Sequence, residues 1–348
     1  MELLIYLILF LLVLIVSSTT NKLLPFLPLP LVQILLGIVI GLFLPNTDFH
    51  LNTELFLALV IGPLLFRESE EADITAILKH WRIIVYLIFP VIFISTLSLG
   101  GLAHLLWLSL PLAACLAVGA ALGPTDLVAF ASLSERFSFP KRVSNILKGE
   151  GLLNDASGLV AFQVALTAWT TGAFSLGQAS SSLIFSILGG FLIGFLTAMT
   201  NRFLHSFLLS VRATDIASEL LLELSLPLVT FFLAEEVHVS GIIAVVVAGI
   251  LKASRFKKIT LLEAQVDTVT ETVWHTVNFM LNGSVFVILG MELEMIAEPI
   301  LTNPIYNPLL LLVSLIALTF VLFAIRFVMI YGYYAYRTRR LKKKLNKY

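Results

Sequence analysis

Lys148-Gly-Glu-Gly-Leu-Leu-Asn-Asp-Ala-Ser-Gly158 places two carboxylates, Glu150 and Asp155, and the amide of Asn154 in a run that continues apolar to Trp169. Glu150 and Asn154 are four residues apart, as are Gly151 and Asp155, so a helix here carries all four on adjoining faces. Asp155 stands 13 positions beyond Arg142. At the α-helical rise that is about 20 Å, near the middle of a hydrocarbon layer about 30 Å thick. Gly149, Gly151 and Gly158 allow a neighbouring backbone to come close. A charge at mid-span costs roughly 2.5–3.5 kcal/mol even on insertion scales, so it serves transport or pairs with another charge.

The rest of the chain supports that depth. Of its 348 residues 59% are hydrophobic and only 13% charged, with mean hydropathy +1.00. So much apolar surface does not fit inside one soluble core. Backbone groups in lipid must be satisfied internally, and the expected class is an all-α polytopic membrane protein. Apolar stretches fall at about 2–20, 27–44, 53–67, 81–103, 108–132, 143–170, 181–204, 216–235, 239–252, 272–292 and 308–336, which makes about eleven transmembrane helices. Met1–Val16 is apolar without a small-residue cleavage site after it, and reads as a first span rather than a signal peptide.

Twenty of the 22 Lys and Arg then fall on one side of the array, and the exceptions, Lys148 and Arg326, lie inside spans. By the positive-inside rule this orients the N-terminus outside and the basic tail, 337–348, in the cytoplasm, in a multi-pass protein of the cell membrane. The tail anchors the cytoplasmic side or touches anionic lipid. The net charge is zero and the single cysteine, Cys115, lies in an apolar run, so neither a nucleic-acid partner nor a disulfide framework is expected. No serine–histidine constellation, HExxH motif or P-loop is present, and neither an enzyme nor a cofactor is expected.

Two further segments carry chemistry. In Ala120-Ala-Leu-Gly-Pro-Thr-Asp-Leu-Val-Ala129, Pro124 lacks a backbone donor and disfavours helical geometry at Gly123. An interrupted fifth helix follows, whose free carbonyls are tolerated at membrane depth only where they line a cavity or site. Thr125 adds a hydroxyl and Asp126 a carboxylate, which suits a desolvated cation. A simple proline kink with Asp126 at the interface accounts for the same residues. Arg326, deep in the last span, needs a buried carboxylate, for which Glu150 is the choice, or else snorkels towards the tail.

Together, Gly123-Pro-Thr-Asp126, Gly149-Glu-Gly-Leu-Leu-Asn-Asp155, Asn282-Gly-Ser-Val-Phe-Val-Ile-Leu-Gly-Met-Glu-Leu293 and Arg326 resemble the monovalent cation–proton antiporter family, in the branch of bacterial sodium–proton antiporters and sodium–proton exchangers. The resemblance extends over nearly the whole chain. It implies an inverted-repeat antiporter fold over 1–336, with panel helices at about 1–67 and 181–292, core helices at about 81–170 and 308–336, and a homodimer. It implies that Asp155 binds cation or proton beside Asn154, that Glu150 pairs with Arg326, and that the broken helix contributes Thr125 and Asp126. Na⁺ would be held by Asp155 and Thr125.

Three departures stand out. Gly151 replaces a serine found in some relatives. Arg67, then Glu68, follows Leu-Leu-Phe66 where relatives often carry an acidic residue, which makes Glu68 a weaker ligand candidate. Relatives also carry two further helices, one broken and bearing an Arg-Gly motif, which this chain is expected to lack.

The expected function is exchange of Na⁺, or Li⁺ or K⁺, for H⁺ by competition at Asp155, electroneutral because Asn154 is neutral. The alternatives are a non-transporting scaffold or a subunit that needs a complementing chain, and a passive channel. Among other residues, Asp215, Glu219 and Glu223 form an acidic face that reads as a cation funnel or an exposed polar face. Asn278 and Asn282 are expected to hydrogen-bond between helices, with a ligand role for Asn282 as the sharper reading. His275 is a pH-sensor candidate or simply an interfacial polar residue, and Lys148 either stabilises Glu150 or faces the cytoplasm. Trp81, Trp107, Trp169 and Trp274 suit an aromatic belt.

Overall fold

The structure is a computed structural model that describes residues 2–24, 26–43, 52–125, 130, 137–171, 176–211, 215–253, 261–302 and 308–345. Among the described residues every regular element is helical. The helices are α1 (Glu2–Leu23), α2 (Leu29–Phe43), α3 (53–71), α4 (74–106), α5 (Leu112–Leu122), α6 (Lys141–Thr171), α7 (Leu176–Ser210), α8 (Ile216–Glu236), α9 (Gly241–Ala253), α10 (Leu261–Thr302) and α11 (Pro308–Leu345). Five segments, Ile77–Leu106, Ile184–Ser210, Ile216–Glu236, Thr268–Ala297 and Pro308–Arg339, are long and apolar enough to cross a membrane. Ile8–Leu23, Leu29–Phe43, Leu112–Leu122 and Gly241–Ala253 are shorter apolar helices.

Prolines shape the long helices locally. In α3 the π turn Leu57–Ile61 leads into Gly62-Pro63, and in α4 the π turn Leu87–Val91 contains Pro90. A proline withholds a donor and crowds the preceding turn, and a wider turn accommodates both without ending the helix. α3 opens on Asn52, whose side chain accepts from the Glu54 and Leu55 amides at 3.0 and 3.2 Å. Asp215 caps α8 in a capping box with Ser218.

Three expected boundaries are corrected. The fifth apolar stretch, 108–132, begins its helix late, at Leu112, and that helix stops at Leu122, at the Gly123-Pro124 interruption; residues 126–129 and 131–136 lie outside the described residues. α10 runs for 42 residues where a span of 272–292 was expected. α11 runs for 38 residues and continues through the basic segment to Leu345, because Leu, Lys and Arg are good helix formers.

Packing divides the chain into two units. The first comprises Met1–Ile74, Val128–Phe139 and Ser181–Asn303; the second comprises Thr75–Leu127, Pro140–Ser180 and Pro304–Tyr348. In the first, α2 crosses α10 at Gly37 and Gly290. A Cβ on Gly37 would collide with the carbonyl of Val287, and one on Gly290 with that of Ile34. Close backbone approach of this kind takes the place of the hydrophobic effect, which does not act between helices in lipid. In the second unit, Ile83, Ile84, Leu87, Ile88, Val91 and Ile92 of α4 bury themselves with Ile146 of α6, and Met329 and Tyr333 of α11 pack against the cluster. Leu99 and Ala103 of α4 form another cluster with Cys115 of α5 and Leu318 of α11.

Candidate functional site

α5 ends at Leu122 because Gly123-Pro124 cannot continue its hydrogen-bond ladder. A helix end leaves carbonyls without intrahelical donors and a partial negative charge. The second unit answers with Arg326 of α11, whose Nη2 donates to the Gly123 carbonyl at 2.7 Å. Nη1 of the same guanidinium lies 3.5 Å from Oε1 of Glu150 on α6. Arg326 therefore joins three elements: the end of α5, the acid on α6 and its own helix. Glu150 is 3% exposed, and so deeply buried a carboxylate needs a charged partner.

One turn beyond Glu150, Asn154 is 0% exposed, and its Nδ2 donates to Thr125 Oγ1 at 3.1 Å, across to the residue that follows Pro124. With Nδ2 so engaged, Asn154 Oδ1 is buried without a hydrogen-bond partner among the described residues, and so is Arg326 Nε. Gly158, one further turn along α6, lets Pro124 lie against the helix; a Cβ there would overlap the Pro124 ring. The break after α5 is thus held to α6 on both sides of position 155.

Of the residues singled out in the sequence, Thr125, Glu150, Asn154 and Arg326 come together in the second unit, with Gly151 buried on the same helix. Asp155 is placed by its backbone on α6, next to Asn154; its side chain lies outside what the structure describes, and Asp126 lies outside the described residues altogether. Glu68 on α3 and Asn282 on α10 belong to the first unit. Lys148 is exposed, and Arg326 is the cation at Glu150. The contact missed at the sequence level is the Gly123 carbonyl, since a backbone acceptor has no letter of its own; the proline stop one residue later is the signal that betrays it.

The first unit corrects two readings. Asp215, Glu219 and Glu223 do not form an open acidic face: only Asp215 is exposed. Glu219 Oε1 lies 3.4 Å from His205 Nδ1, and Glu223 Oε1 lies 2.7 Å from Lys252 Nζ. Lys252 also meets Glu70 Oε1 at 3.2 Å, while Arg67 holds Glu70 at 2.9 Å and Glu71 at 2.6 Å. Trp274 belongs to this junction rather than to an aromatic belt. It is 1% exposed, donates from Nε1 to Glu223 at 3.1 Å and lies beneath the Arg67 guanidinium. An indole with its donor satisfied is stable away from the interface. Trp81 and Trp169 are exposed as a belt requires. Asn278 Oδ1 is buried without the inter-helix partner expected for it among the described residues, and His275 is exposed.

Residues 7–345 match the family model described as "Sodium/hydrogen exchanger, transmembrane". Among similar proteins, the "Sodium, potassium, lithium and rubidium/H(+) antiporter" of Bacillus subtilis is 36% identical over 90% of this chain and 47% of its own length. The protein of the same name from Bacillus pumilus is 35% identical over 97% of the chain and 50% of its own. The chain thus spans about half the length of these relatives. The fold is like that of the sodium proton antiporter MjNhaP1 from Methanocaldococcus jannaschii, with a TM-score of 0.64 and 20% identity over 84% of this chain and 71% of that one. The chain belongs to the transmembrane sodium/hydrogen exchanger family and is a multi-pass membrane protein.

Proposed function

We propose that this family member exchanges Na⁺, or Li⁺ or K⁺, for H⁺ across the cell membrane at a site built around Asp155. The observation that carries the reading is the bond from Asn154 to Thr125, which ties the broken end of α5 to the residue beside Asp155. It brings the Thr125 hydroxyl against the buried amide of Asn154, beside the backbone of Asp155. Burial penalises a bare carboxylate, so Asp155 holds either a proton or a dehydrated cation, and competition between them couples the two fluxes. Thr125 Oγ1 is a neutral oxygen available to the cation, and Asp126 is proposed to join them from beyond Thr125.

Glu150 and Arg326 take no part in the exchange on this reading. They neutralise one another while Arg326 holds Gly123, so that Asp155 is the one site charge that changes its partner. Because Asn154 is neutral, each half-cycle compensates a single charge, and exchange is electroneutral with one ion for one proton. The names of the Bacillus relatives support K⁺ and Li⁺ beside Na⁺ as cargo. The second unit serves as the moving core and the first as the panel through which two copies associate. Alternating access comes from movement of one against the other around the site. The N-terminus faces outward and the basic end of α11 faces the cytoplasm.

The experiment is Na⁺-driven proton movement in proteoliposomes at several imposed membrane potentials. The reading expects exchange whose rate is insensitive to potential and is abolished by Asp155→Asn. Acceleration by potential contradicts the stoichiometry. Exchange by the Asp155→Asn variant removes Asp155 from its role.

A further inference from the structure

The chain is neutral overall, but its two units are not. The second holds 13 Lys and Arg and three acids, Asp126, Glu150 and Asp155, a net charge of +10; the first holds nine basic and 19 acidic residues, a net charge of −10. In the first unit, Arg67 and Lys252 are neutralised by Glu70, Glu71 and Glu223. In the second, Lys79, Arg82, Lys141, Arg142, Lys148, Arg337 and Arg339 are exposed, and none forms an ion pair among the described residues.

Packing gathers these cations at one end. Ile146 of α6 lies in one cluster with Ile83, Ile84 and Leu87 of α4, and Tyr333 of α11 packs on it. Tyr86 and Tyr333 pack at a 37° tilt with centroids 4.9 Å apart, and the Tyr86 hydroxyl donates to the Met329 carbonyl at 3.2 Å. Arg82 precedes Tyr86 by one turn, Arg142 precedes Ile146 by one turn, and Arg337 follows Tyr333 by one turn. Three helices therefore each carry a cation within about one turn of a shared apolar cluster. Exposed aromatic side chains accompany them: Trp81, over which the Arg82 guanidinium sits at 5.6 Å, and Tyr331 and Tyr336. α11 stays helical from its apolar span through Arg339 and Arg340 into Lys342-Lys-Lys344.

We propose that this basic end of the second unit is a docking surface for the phosphate headgroups of anionic phospholipid. Charge complementarity selects an anion, since the unit's cations outnumber its three acids by ten and Glu150 is already paired with Arg326. The aromatic side chains and the apolar helices leading into this collar of cations fix its depth at the level of the headgroups, where each Lys or Arg adds to the attraction of anionic lipid. The proposal does not depend on the role of Asp155, and it assigns lipid to one unit and not to the other.

A fluorophore on Thr338→Cys reports the collar directly, because Cys115, the native cysteine, is buried. The labelled protein is reconstituted with either brominated phosphatidylglycerol or brominated phosphatidylcholine as quencher. Phosphatidylglycerol is expected to quench several-fold more strongly at low salt, and the difference is expected to collapse near 0.5 M salt, where screening is short-ranged. Arg82→Gln, Arg142→Gln and Arg337→Gln together should lower the preference by at least about threefold. The matching lysine substitutions should keep it, as should Arg255→Gln, Lys257→Gln and Lys258→Gln in the first unit. Equal quenching by the two lipids in the otherwise native protein overturns the proposal, as does an equal loss in the two glutamine triples. The salt titration needs no charge variant, so a poorly folding triple leaves the test intact.

Discussion

Arg326 meets two acceptors of different kinds, the carbonyl of Gly123 and the carboxylate of Glu150. Arg326→Gln leaves a buried acid without its cation, a change that costs roughly 3–5 kcal/mol, and it also uncaps α5. Thermal unfolding in detergent should show a large loss for Arg326→Gln and a clearly smaller one for Arg326→Gln with Glu150→Gln. A double variant no more stable than the single one would mean that the pair is not the stabilising element. The pairing was legible in the sequence because an arginine and a glutamate inside apolar spans each demand a partner. The hydrogen bond from the Asn154 amide to Thr125 was legible only as proximity, since spacing along a chain does not say which polar atom meets which. Asn154→Ala removes a bond worth about 0.5–1.5 kcal/mol. It should raise the Na⁺ concentration for half-maximal exchange by up to about tenfold, measured as Na⁺-driven proton flux. An unchanged value would place Asn154 outside the ion's surroundings.

Among the elements, the stop after α5 followed from Gly123-Pro124, while the early start expected for that helix did not survive, because Trp107–Pro111 turn before Leu112 begins it. Apolar length was a poor guide to α10 and α11, which continue well past their apolar cores on residues of good helix propensity. Hydropathy sees the bilayer, not the helix. The approach of Pro124 to α6 depends on the absence of a side chain at Gly158. Gly158→Ala is therefore expected to cut exchange at least tenfold with unchanged helix content by circular dichroism. Native exchange rates in that variant would show that Pro124 yields without consequence. Gly37→Leu and Gly290→Leu separate α2 from α10 instead, and should lower thermal stability whether or not ions are present.

Across the whole molecule, the division of charge between the two units was open to counting but not to foresight, because unit boundaries come from packing. The junction around Lys252 was hidden in the same way. Its members stand on α3, α8, α9 and α10, and only the Arg67–Glu70–Glu71 spacing is a local signal. Lys252→Met leaves Glu223 without its cation while Glu70 keeps Arg67, and should lower stability by roughly 3 kcal/mol, with part of the loss recovered by Glu223→Gln. If the melting temperature does not move, the junction contributes nothing measurable.

The account as a whole rests on competition between a proton and a cation at one acid, Asp155. Proton release on adding Na⁺ to the purified protein, followed with a pH dye in weak buffer, measures that competition without a membrane or a gradient. The native protein should release about one proton for each Na⁺ bound, and Asp155→Asn should release none. Release of the same size from Asp155→Asn, or Na⁺ binding by the native protein without any release, would contradict it.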